Sequence, residues 1–149
     1  MESLENLSDL FLHELLDLYD TEQQMTKALP LLMQAATHKQ LKKTFQDHLE
    51  ETREHARRLE QIFKGLGEPT ELKPCKAMTG LIAEARDTLD IDADPDVLDA
   101  PLIVAAQKME HYEIASYGSV RTFAWKLNYS DAARLLESTL KKNPGPMSD

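Results

Sequence analysis

The sequence is poor in the residues that staple or punctuate a fold. Its single cysteine, Cys75, excludes an intramolecular disulfide framework and any cysteine-based metal cluster. Five glycines and seven prolines in 149 residues are too few for the many tight turns of an all-β protein. No stretch approaches the ~20 apolar residues needed to span a bilayer, so no transmembrane helix is expected. The opening residues, Met1-Glu2-Ser3-Leu4-Glu5-Asn6, lack the basic patch and apolar block of a secretory signal, and a cytoplasmic location is the default expectation. Positive charge is in deficit too: 17 basic residues face 26 acidic ones, a formal net charge of −9. Such a chain offers no basic face to phosphate backbones or anionic lipid, so neither nucleic acid nor membrane is an expected partner.

What remains is an ordinary globular composition, 42% hydrophobic and 29% charged. At this length roughly two-thirds of the unfolded surface can be buried, enough for one domain over residues 1–149. Apolar positions recur at helical spacing nearly throughout. Leu4, Phe11, Leu15, Leu18, Met25, Leu29 and Met33 form one stripe and predict a long helix to about Ala36, with Pro30 loosening it by one hydrogen bond. Leu41, Phe45, Leu49, Leu59, Ile62 and Phe63 carry a second, from about Lys39 to Lys64, stopped by Gly65-Leu66-Gly67-Glu68-Pro69. A short segment around Met78 to Leu89 follows. A long helix from about Val97 to Leu127 then has Ile103, Ala106, Ile114, Tyr117, Val120 and Ala124 on its inner stripe. Ser130-Asp131 reads as the cap of a last helix through Leu140, leaving about 141–149 as a non-helical tail. Two antiparallel hairpins joined by a connection with its own helix predict a ferritin-like four-helix bundle with one long crossover.

Several carboxylates lie on the inner stripes. Glu22 is at the angular centre of the first, within about 60° of all seven apolar residues there. A buried carboxylate must be paired, protonated or metal-bound. Glu110 and Glu113, at i and i+3, sit among the apolar residues of the third long helix and repel each other unless a cation or an arginine lies between them; Arg121 shares their face. On the second helix His48, Glu51 and His55 are successive neighbours that could converge on one point, although a histidine on such a shoulder is more often a packing residue. Glu50 and Glu54 point outward. Inward oxygen ligands with a little imidazole suit iron or manganese better than a structural zinc site. No phosphate-binding loop, nucleophile elbow or cysteine–histidine dyad competes with this constellation.

Three stretches carry a family resemblance: His48-Leu-Glu-Glu-Thr52, Cys75-Lys-Ala-Met-Thr-Gly80-Leu, and Glu110-His-Tyr-Glu113-Ile-Ala-Ser-Tyr117-Gly118. They resemble the YciE/YciF family of small bacterial ferritin-like stress proteins, from about Leu4 to Leu140. The resemblance implies a ferritin-like bundle, pairing as a homodimer, and a dinuclear iron or manganese site open to a small-molecule oxidant. Glu22, Glu51, Glu110 and Glu113 match the family's helix glutamates. His55 stands where the family varies, so its place as a ligand rests on geometry. The sequence departs from the family after Leu140, where Lys141-Lys142-Asn143-Pro144 replaces a glutamate pair and further helix. The shortened last helix then supplies no ligand unless Glu137 does. The alternative reading is a non-catalytic helical dimer with an incomplete site.

Overall fold

The computed structural model describes residues 3–142. They form five helices: α1 (Leu7–Ala35), α2 (Lys39–Leu66), α3 (Lys76–Leu89), α4 (Pro95–Lys126) and α5 (Ser130–Lys142). No strand occurs among the described residues, as the sparse glycine and proline content required. Packing joins α1 to α2, α4 to α5, α1 to α4 and α2 to α5, so these four make a bundle with α3 in the crossover against α1 and α4. Of the tail expected over about 141–149, Lys141 and Lys142 belong instead to helix α5, and residues 143–149 lie outside the described residues.

Local chemistry sets the boundaries. The Asn6 side chain accepts a hydrogen bond from Asp9 N at 2.8 Å, starting α1 three residues later than the apolar stripe suggested and leaving Leu4 exposed. Helix α1 then runs through Pro30. Gly67 ends α2 in the left-handed region (φ 71°), its N–H bonded back to Lys64 O while Glu68 N reaches Phe63 O. Asn128, with φ 62°, makes the tight turn from α4 into α5. That turn places Ser130 inside the last helix rather than before it, correcting the expected cap. Cys75 caps α3: its Sγ accepts from Met78 N at 3.4 Å, and the buried thiol lies 3.1 Å from Tyr112 Oη.

One stripe differs from expectation. Ile103 is 42% exposed, while Leu102, Ala105 and Met109 are buried. Leu102-Ile103-Val104 is apolar around the whole helix, so periodicity could not choose a face, and packing against α3 and α1 chooses it instead.

The core has two apolar halves. One joins Met25, Leu29, Phe45, Leu49, Leu102 and Met109 with α3, and the other joins Leu15, Leu18, Leu59, Tyr117, Val120 and α5. Between them each long helix contributes a polar residue: Glu22 lies between Leu18 and Met25, His55 between Leu49 and Leu59, and Glu113 between Met109 and Tyr117. The buried residues of α5 belong to the second half or, for Thr139, reach the guanidinium of Arg58.

Candidate metal centre

Glu22, His55 and Glu113 are fully buried, and one ligand atom from each lies within 4.8 Å of the others. His55 Nδ1 is 3.2 Å from Glu22 Oε2 and 3.6 Å from Glu113 Oε2. Tyr117 Oη donates to Glu22 Oε2 at 2.5 Å, and its ring meets that of His55 edge-on. On the other side of Glu113, Oε1 faces His48 Nε2 at 3.7 Å, and Glu110 Oε1 lies 3.9 Å from the same nitrogen. Glu113 therefore presents one oxygen to each of two histidines.

The polar groups of this layer are far from satisfied. Glu22 Oε1, His48 Nε2, His55 Nε2, Glu110 Oε2, both Glu113 oxygens and Thr52 Oγ1 are buried without a hydrogen-bond partner. Buried polar atoms are nearly always partnered, and leaving one unmade costs about 1–3 kcal/mol. Seven in one layer, six of them on carboxylates and imidazoles, form a donor set that fits a divalent cation.

Protonation follows from the same crowding. Burial, then repulsion from Glu113, pushes Glu22 well above the usual carboxylate range. Burial works against the charge of His55, but contact with Glu113 and Glu22 outweighs it and holds the imidazole up at about 10. Burial would raise Glu113 as well, yet His48 and His55 keep it far below the ordinary carboxylate value. Crowding thus pushes Glu22 and Glu113 in opposite directions and favours the charged form of His55.

Of the residues picked from sequence, the structure brings Glu22, His55 and Glu113 together and sets Glu110 beside His48. Glu51 is half-buried beside them, near enough for His48, His55 and Glu113 to act on it, and burial raises it above the usual carboxylate range. His48, on a helix shoulder that reads as packing, instead faces both Glu110 and Glu113. Its i, i+7 spacing to His55 was the available signal. Arg121 does not neutralise the inner carboxylates; it lies 3.8 Å from Glu137, which removes Glu137 as a substitute ligand from α5.

The same architecture occurs in known proteins. Residues 6–144 match a family profile described as a domain of unknown function, DUF892. Protein YciF of Escherichia coli K12 is 42% identical over 144 residues, covering 94% of this chain and 85% of YciF. The crystal structure of the E. coli stress protein YciF aligns with a TM-score of 0.91 at 41% identity, over 95% of this chain and 89% of that one. YcfI of Rhodopseudomonas palustris, described as a candidate structural protein, aligns with a TM-score of 0.92 at 42% identity, over 96% and 91% of the two chains.

Proposed function

The chain belongs to the DUF892 family, matching its profile and YciF along most of its length, and from that premise we propose that it is a metal-binding stress protein of ferritin-like type with a dinuclear iron or manganese centre. The observation that carries this reading is the layer of buried, unpartnered carboxylate and imidazole atoms. Glu22 and His55 would hold one metal and His48 and Glu110 the other, with Glu113 placed between the two pairs. Bound there, iron or manganese supplies Lewis-acid and redox chemistry toward dioxygen or peroxide, the basis of ferroxidase or peroxide turnover. Tyr117 fixes Glu22 in its rotamer, and the apolar halves above and below keep bulk water from the layer. The protein works as a homodimer, with a small-molecule oxidant as its partner in the reaction.

Metal stoichiometry of variants tests this arrangement. Removing Glu113 (Glu113→Gln) should abolish tight binding of both ions, whereas Glu110→Gln should leave one ion at Glu22 and His55. Two ions retained by Glu113→Gln would contradict a shared carboxylate.

A second reading is favoured by one feature: α5 adds no carboxylate or imidazole to the layer, and Glu137 is held by Arg121. On that reading the chain is a non-catalytic helical protein that keeps the fold with an incomplete site. Failure of both the wild type and Glu110→Gln to bind iron or manganese would support it.

A further inference from the structure

A small cavity of about 200 Å³ lies on the outer side of α2, lined by Glu50, Glu51, Glu54, His55 and Arg58. Its inner wall is His55, a fully buried residue whose Nδ1 is turned to Glu22 and whose Nε2 has no partner. The cavity thus runs from the surface to a side chain of the candidate metal centre. Three carboxylates face one guanidinium around it. Arg58 is committed elsewhere, donating to Thr139 Oγ1 at 3.2 Å and lying 3.6 Å from Glu54 Oε1. Glu54 is also fixed, accepting from Arg57 Nε and Nη2 at 2.9 and 2.6 Å. Glu51 differs: it is half-buried between the exposed Glu50 and the buried Thr52, and its carboxylate is attracted by the charges of His48 and His55.

We propose that this cavity is the vestibule through which divalent cations reach the buried layer, with Glu51 as the carboxylate that hands the ion inward to His55. The proposal rests on the metal-binding reading and adds to it a route and a role for Glu51 distinct from that of a permanent ligand. A metal ion stripped of water needs an anionic oxygen at each stage of its passage into an apolar interior. Glu50 at the mouth attracts the hydrated ion, Glu51 replaces part of its water, and His55 with Glu22 and Glu113 completes the exchange. Closely spaced like charges lining a narrow opening also raise the local cation concentration and speed association in a salt-dependent way.

The test follows cobalt(II) uptake by stopped-flow absorbance at two ionic strengths, with equilibrium stoichiometry measured on the same samples. Wild type is compared with Glu51→Gln and with Glu71→Gln, which removes the same charge from an exposed position in the crossover. The expected result is association about tenfold slower in Glu51→Gln, with a weaker salt dependence and the stoichiometry unchanged, while Glu71→Gln matches wild type. A wild-type rate in Glu51→Gln overturns the route, and a lost equivalent of metal overturns it in favour of a ligand role. Absence of cobalt binding by wild type itself overturns the underlying metal reading and the vestibule with it. Should Glu51→Gln fail to fold, Glu50→Gln, an exposed substitution, carries the same kinetic test with a smaller expected slowing.

Discussion

Glu22 lies above the usual carboxylate range through burial and the neighbouring Glu113 charge, and His55 at about 10 despite burial, through contact with Glu113 and Glu22. A divalent cation binding to these atoms competes with protons for them, so uptake is coupled to proton release. The sign is fixed: lowering the pH opposes binding, and raising it favours binding until both groups are deprotonated. Isothermal titrations with iron(II) at pH 7, in two buffers of different ionisation enthalpy, should show net proton release, with His55, held at about 10, giving up about one proton per chain. A heat independent of buffer would contradict this assignment. Much of the layer could be read from the chain because Glu22 and Glu113 sit deep within apolar stripes. The choice between Glu51 and His48 could not be read, since both lie on shoulders of α2. Only the folded bundle shows His48 facing Glu110 and Glu113.

At the level of elements, the turn between α1 and α2 is tied to α4 by one buried carboxylate. Asp99 accepts from Thr37 N at 2.9 Å, Thr37 Oγ1 at 3.0 Å and His38 N at 3.1 Å, and pairs with the His38 ring. These contacts supply the capping that His38, whose own side chain does not cap α2, fails to give. Contact with Asp99 raises His38 above its ordinary 6.5. For Asp99, burial acts upward, but His38 and the Thr37 donors outweigh it and hold the carboxyl well below its ordinary 3.8. The aspartate contribution is therefore present above about 3.8 and fades as pH falls through its depressed value. The histidine contribution is complete below 6.5 and fades as pH rises through its raised value. Asp99→Ala should cost about 1–2 kcal/mol at pH 6, chiefly through the orphaned backbone N–H groups. In thermal melts the gap between wild type and variant should narrow at pH 9 without closing; a wider gap there would refute the pairing. This tie could not be seen in the sequence, where Asp99 is one of a run of acidic residues and His38 lies off every apolar stripe.

For the molecule as a whole, the periodic apolar pattern was enough to foresee an all-α bundle with a helix in its crossover. Exposed Ile103 marks where the pattern ran out, because α4 is apolar on every side from Leu102 to Ala106 and only neighbouring helices select a face. No helix among the described residues is long and apolar enough to cross a membrane. Part of the −9 charge lies inside, where Glu22, Glu110 and Glu113 crowd two histidines between the two halves of the core. A core divided by so many unpartnered polar atoms gains stability when a cation binds them. The most direct measurement is metal analysis of protein loaded anaerobically with iron(II), combined with thermal melting of the loaded and chelator-treated forms. Close to two equivalents per chain are expected, with a melting temperature raised by about 10–20 °C when free metal stands a hundredfold above the Kd of both sites. Sub-stoichiometric metal with no gain in melting temperature would contradict it.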